Sequence, residues 1–468
     1  MHLLPSPTQR SRVLDRFITQ SQAFFQAVGT KFLRQGKWGP WQVFLTLCMS
    51  HSEASSKAGL SWEDAIGRVH ASPAGEAFGW GDDTSPPTTR SFYDARLKLN
   101  KYDDRFIWNH LLETMADHDS RHAIWLGGFR FLHGDGMQFH VSRSEETLKE
   151  FSVQDNGKCK KTHYPQGKLV ALIEGGSGRM IDFQLVRCKD KKRADQSSIL
   201  FEEKEAIRHF VGEMKPNDCL VWDSGGSSQK LFHEMNSAGK HFIMAINSGW
   251  LLARKFKASG KDDLVIDHHV QKKFLPEVAE NKRNIKLRLV RIRDKEGASK
   301  TIATNILGKL TRSQIRKIYK QRWAVETLFR HAKEYLGMRI LRSKTLLGIK
   351  QEVLAVLAIL HLAAHIQDGI TGKANAVKSP LCCLKAGFRR PRTVHLINFS
   401  INLLATVCAR NSTRLDRSTR VTWSTVLANP YIVEPGRSLE RISRLPFALF
   451  KVMRKSRGQR KAKIKAVI

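Results

Sequence analysis

The sequence predicts an α/β protein: a mixed sheet with helices on both faces, flanked by helical regions at its N- and C-terminal sides. Three observations carry this. From about residue 123 onward, apolar and β-branched residues gather into short runs separated by glycine-rich turns. Beyond residue 200 such runs alternate with segments of helical periodicity. Hydrophobic residues make up 41 % of the 468 positions, enough to cover a sheet on both sides.

Residues 1–122 read as a helical N-terminal region. Leu14, Phe17, Ile18, Phe25, Val28, Phe32 and Leu33 recur at roughly helical spacing. Ser61 followed by Asp64 has the form of a capping box ahead of Ile66 and Val69. Residues 79–87, rich in Gly, Asp, Ser and Pro, form a loop, after which Thr88 or Thr89 caps a helix carrying Phe92, Arg96, Leu97 and Lys98. Basic residues on that helix, Arg96 among them, suit a DNA-end reader of helix-turn-helix type. A packing helix with no DNA contact suits them equally well.

Residues 123–248 begin with three predicted strands, 124–140, 168–173 and 180–186, the last two joined by Gly175-Gly176-Ser177-Gly178. A helix (202–214), a buried strand (219–222), a helix (228–238) and a strand (242–246) follow. Three hairpin-linked strands and then helix–strand alternation is the order of the ribonuclease H-like fold. Residues 249–309 interrupt it with alternating patterns at 285–292 and 301–307, a β-rich insertion. Residues 310–370 return to the core with predicted helices at 311–336 and 347–366, and 371–468 form a basic, mostly helical C-terminal region with a charged tail.

Lys plus Arg number 79 and Asp plus Glu 43, a net charge of +36. Solubility needs far less, so the expected partner is a polyanion, with nucleic acid first. A ribosomal or membrane-surface protein is the alternative, but no long basic amphipathic helix stands out. The seven cysteines contain no C-x-x-C, which excludes the usual zinc spacings and suits a reducing cytoplasm. No leader peptide is expected from residues 1–5, and the most apolar stretch, 353–364, reads as a buried helix too short to span a bilayer.

Metal-assisted phosphodiester cleavage requires carboxylates converging from different elements to hold hard divalent cations. Asp135 lies between two glycines inside an otherwise apolar strand pattern, a costly place for a charge without a partner or metal. Asp223 ends a buried strand ahead of Ser224-Gly225-Gly226, where α/β sheets present ligand groups. Singly, each also reads as a turn or cap aspartate. On the 311–336 helix, Tyr319, Arg322, Glu326 and Lys333 share one face at ~100° per residue. That face offers an acid for metal, two cations for phosphate and a phenol; an internal Arg–Glu pair on a solvated face is the plainer reading. Asp182 has no evident partner, and Asp267-His268-His269 reads as loop or strand surface.

The spacing Tyr319-(2)-Arg322-(3)-Glu326-(6)-Lys333, with its flanks 318–326 and 328–330, resembles the signature of one branch of bacterial insertion-sequence transposases of the DDE type. Asp135-Gly136, Tyr164-Pro165 and residues 304–307 also look like that family, so the resemblance runs over roughly 88–370. It implies Mg²⁺ or Mn²⁺ held by Asp135, Asp223 and Glu326. It further implies inverted-repeat DNA ends as substrate, strand transfer by a freed 3′-hydroxyl, and a homodimer pairing two ends, in a bacterial cytoplasm at the nucleoid. Where the ends pass through a hairpin, a flipped base stacks on an aromatic; Trp250 and Trp323 are candidates, with packing the commoner role. A DNA-binding regulator that does not cut, or a nuclease of the same fold without strand transfer, are the alternatives.

Overall fold

In the computed structural model the described residues are 38–51, 60–80, 85–99, 125–151, 153, 163–187, 200, 202–293 and 299–375, with short pieces at 388–391, 397, 400–401 and 430–433. The helical pattern over residues 14–33 and the basic tail lie outside them. Contacts divide the chain into two units, residues 1–383 with 390–431 and residues 384–389 with 432–468. The sheet and the candidate site belong to the first.

Among the described residues, four helices precede the sheet: α1 (Pro40–Ser50), α2 (Trp62–His70), α3 (Pro73–Ala77) and α4 (Thr89–Lys98). The Ser61 side chain accepts the Asp64 N–H and caps α2; Thr88 accepts the Ser91 N–H and caps α4. The strand read over 124–140 is a hairpin. β1 (Trp125–Leu126) turns at Gly127 and Gly128 into β2 (Phe129–Val141). Both glycines have positive φ, +62° and +84°, the backbone that a two-residue hairpin turn demands and that glycine adopts without strain.

After β2 come α5 (Glu145–Phe151), β3 (Gln166–Glu174), β4 (Met180–Arg187), α6 (Glu203–Glu213), β5 (Asp218–Trp222), α7 (Gln229–Ser237) and β6 (His241–Ile246). β2, β3 and β4 are antiparallel neighbours, whereas β2, β5 and β6 run parallel. This is the ribonuclease H-like arrangement the sequence predicts. Helix α8 (Leu251–Ala258) and strands β7 (Asp263–His269), β8 (Asn284–Arg293) and β9 (Ser299–Thr304) follow. β9 pairs antiparallel with β6, so the sheet reads β4-β3-β2-β5-β6-β9-β8-β7. The expected insertion is therefore an extension of the same sheet.

The helix predicted over 311–336 is two: α9 (Arg312–Gln321), opened by a Thr311/Gln314 capping box, and α10 (Trp323–Tyr335). At Arg322 the bonding tightens to three residues: Arg322 N–H reaches Tyr319 O at 3.2 Å and Val325 N–H reaches Arg322 O at 3.0 Å. β10 (Ile340–Leu341) pairs with the end of β2, and α11 (Leu346–Asn375) closes the core, longer than the sequence suggests. Its stretch Leu346–Ala364 is long and apolar enough to cross a bilayer, but 89 % of it is buried by the rest of the protein, which marks it as a core helix.

Alternation along β2 sorts the two faces. Leu132 packs with Leu172, Leu220, Trp222, Ile207, Phe210 and Phe232, under α6 and α7. Phe131 packs with Val221, Ile315, Ile318 and Tyr319 of α9, and farther along Met137 and Phe139 join Val325 and Phe329 of α10 and the apolar side of α11. Asp135 belongs to this second face, and Gly134 and Gly136 to the first.

Candidate active site

Strand register brings the two aspartates together. β2 and β5 pair in parallel, with His133 beside Val221. Two residues further on each chain stand Asp135 and Asp223, at the same level of strands ~4.8 Å apart. Asp223 leaves the carboxyl end of β5, and its Oδ1 accepts the Gly225 N–H at 2.8 Å, which fixes the turn. Asp135 Oδ1 accepts the N–H of Gly136 at 2.8 Å.

Arg322 ties the third acid to the first. Its Nη1 donates to Asp135 Oδ2 at 2.8 Å and its Nη2 to Glu326 Oε1 at 2.7 Å. The Arg322 side chain is only 7 % exposed, so this bridge lies under little water and is worth more than a surface pair. The helical break at Arg322 coincides with this inward-facing residue.

Burial raises the Asp135 carboxyl above its ordinary value; the Gly136 N–H and the Arg322 guanidinium pull it back down, while Asp223 and Glu203 push it up further. For Arg322, burial opposes the charge, but Asp135, Tyr319, Glu326 and Asp223 outweigh it and the pKa is raised. Burial also raises the Tyr319 phenol. His133, fully buried two residues before Asp135, is pushed down to about 3 by burial and by Arg322, so it is neutral, and neither ring nitrogen has a hydrogen-bond partner among the described residues.

The other predicted residues divide. Tyr319 is in the core, 7 % exposed, with the Arg322 guanidinium 5.9 Å from its ring centre. A ring so placed has no free face for a base. Lys333 stands two turns along α10 from Glu326, ~10 Å away; burial, and then Arg339, lower its pKa. Trp323 is 53 % exposed beside Arg322, whereas Trp250 packs partly buried against the core, its ring 6.2 Å from that of Phe232. Arg96 does not face outward as a DNA reader would. It is 5 % exposed, and its guanidinium is consumed by Gln351 Oε1 (2.9 Å), Ser343 Oγ (2.9 Å) and Gly348 O (3.0 Å), which fasten α4 to the start of α11. Asp182 pairs with His209 Nε2 at 3.1 Å. Asp267 and His269 lie on the exposed side of β7, where His269 Nδ1 meets Asn284 Oδ1 at 2.8 Å.

Sequence reasoning missed Glu203. Its carboxylate accepts the Trp222 indole N–H at 2.9 Å and the Lys168 ammonium. In sequence it is one more acid in the first turn of a helix, a common place for one, so no local signal marks it.

Three carboxylates are the donors a hard divalent cation takes. As the side chains stand, no group of three acids, histidines or cysteines converges on one point among the described residues. Instead the guanidinium supplies the positive charge between Asp135 and Glu326. The residues fit a cation by donor type and by strand register, on condition that Arg322 gives up its bridge.

Residues 135–362 match the family described as Transposase DDE domain. No curated protein matches the sequence. Among solved structures, the piggyBac transposase synaptic complex with hairpin DNA is similar over 92 % of this chain and 86 % of that one, at 13 % identity and a TM-score of 0.43, a likeness too distant to carry an argument.

Proposed function

We propose that this chain, whose residues 135–362 match the Transposase DDE domain family, is a DNA transposase. On this reading it binds the inverted-repeat ends of its own element, cleaves them with divalent metal and joins the 3′-hydroxyl ends to target DNA. The observation that carries the reading is the placing of Asp135 and Asp223 at matching levels of neighbouring strands, with Arg322 bridging Asp135 to Glu326 of the helix above.

Asp135, Asp223 and Glu326 are the residues that would hold Mg²⁺ or Mn²⁺. Bound there, the ions supply an activated water or 3′-hydroxyl and stabilise charge on the phosphate. Arg322 turns from the acids to a DNA phosphate, an anion that suits its planar fork. Lys333 meets the backbone farther along the strand, and Trp323, exposed, is the better placed of the two tryptophans to stack on a base. A homodimer would pair the two ends.

The test is cleavage of supercoiled donor plasmid carrying the element's ends. Asp135→Ala, Asp223→Ala and Glu326→Ala should each abolish Mg²⁺-dependent cutting while end binding in a mobility-shift assay is largely kept. Full cleavage by any one of them removes that residue from the site. Cutting without joined product in the parent protein would instead identify a nuclease. Arg322→Ala should weaken end binding more than it weakens cation binding.

A further inference from the structure

Trp222 immediately precedes Asp223 and its side chain is fully buried on the opposite sheet face from Arg322. The ring lies against Gly134, the residue before Asp135: a Cβ on Gly134 would stand 1.7 Å from the indole. On its other side the ring meets Gly226, in the turn after Asp223, where a Cβ would stand 2.4 Å from indole Cδ1. One ring is thus held between the backbone that carries the first acid and the turn that follows the second.

The orientation of that ring is set by one hydrogen bond, from Trp222 Nε1 to Glu203 Oε1 at 2.9 Å. Glu203 Oε2 takes the Lys168 ammonium. Gly136 makes room for this pair, since a Cβ there would stand 2.8 Å from Lys168 Cδ and 3.2 Å from Glu203 Oε2. Trp222, Glu203 and Lys168 therefore line the underside of Gly134-Asp135-Gly136. An indole N–H needs only a neutral acceptor. A carboxylate at this place adds a negative charge beside Asp135, where Asp223 already acts, and is itself answered by the Lys168 ammonium.

We infer that Glu203 is a positioning residue of the acid pair, acting through the Trp222 indole to fix Asp223 relative to Asp135. This rests on the reading of the two aspartates as cation ligands. Neighbours that orient metal ligands typically change cation affinity ~10–100-fold when removed.

The experiment is Mn²⁺ binding, followed by the electron-paramagnetic signal of free Mn²⁺, to the full chain on an element-end duplex, with the duplex alone subtracted. Thermal melting is measured beside it. Glu203→Ala and Trp222→Phe, the latter keeping a ring and losing the N–H, should each weaken Mn²⁺ binding at least about tenfold. Glu203→Gln, which keeps an oxygen for the indole, should restore most of the affinity. Lower melting temperatures with parental Mn²⁺ affinity would mean a packing role only and overturn the inference. So would a Glu203→Gln variant as weak as Glu203→Ala. Should Glu203→Ala not fold, Trp222→Phe decides. Asp135→Asn separates the two levels. Loss of binding there with none in Glu203→Ala or Trp222→Phe sinks this inference alone, and unchanged binding in Asp135→Asn sinks the reading of the acids.

Discussion

Gly134 and Asp135 illustrate how adjacent residues serve opposite faces of one strand. Gly134 has no side chain because Trp222 occupies its place, and Asp135 faces the other way to Arg322. Gly134→Ala should overpack the core, costing ~1–3 kcal/mol or more; urea unfolding will show it as a lower midpoint with an unchanged slope, and a neutral result would mean the Trp222 ring has room to move. The anomaly of an aspartate between glycines was legible in the sequence, as was the Arg322–Glu326 pair at helical spacing. The bond from Arg322 to Asp135 was not, because it joins positions 187 apart. Glu203 was hidden for the same reason: its meaning comes from Trp222 and Lys168, which only the folded chain brings to it.

Elements with strong periodicity and clear turns were legible, among them β3 to β6 and the helices between them. Failures came where one pattern covered two elements. The apolar run over 124–140 continues through the Gly127–Gly128 turn, and the run over 311–336 continues through the bonding change at Arg322, since neither interrupts the hydrophobic period. Helix α4 taught the opposite lesson, for its basic residues suggested a DNA-facing surface while Arg96 points into the core. Arg96→Met should leave the buried Gln351 Oε1 and Gly348 O without their donor and remove the cation 3.9 Å from Glu352, which keeps its Arg342 and Ser343 N–H bonds, and destabilise the fold by ~1–3 kcal/mol. Chemical denaturation checks the loss, and fluorescence anisotropy on duplex DNA should show parental affinity for the folded variant. A selective loss of DNA binding at parental stability would restore Arg96 to the DNA surface.

Across the whole molecule, the class of fold was legible from pattern. The joining of β7, β8 and β9 to the central sheet was not, because the pairing of β6 with β9 is long-range and leaves no mark on either strand's own sequence. The net charge of +36 predicts binding to DNA dominated by counterion release. If six or more phosphates are neutralised, the logarithm of the affinity should fall against the logarithm of salt with a slope of about −5 or steeper. Anisotropy titrations at a series of KCl concentrations measure this; a shallow slope would mean the cations are spent elsewhere.

Placing β9 beside β6 also sets a timetable. Glu326 leaves the ribosome about a hundred residues after Asp223, which at ordinary rates of synthesis is ~5–20 s later. For most of that interval the nascent chain can pair β2 with β5 and set its two aspartates side by side, with neither Arg322 nor Glu326 yet emerged. β6 meanwhile waits for the strand that will cover it. The full set of acids therefore assembles late, when β9 has docked and the following helices fold back across the sheet, and a chain interrupted before that point holds a sheet with an open edge and an incomplete set of acids.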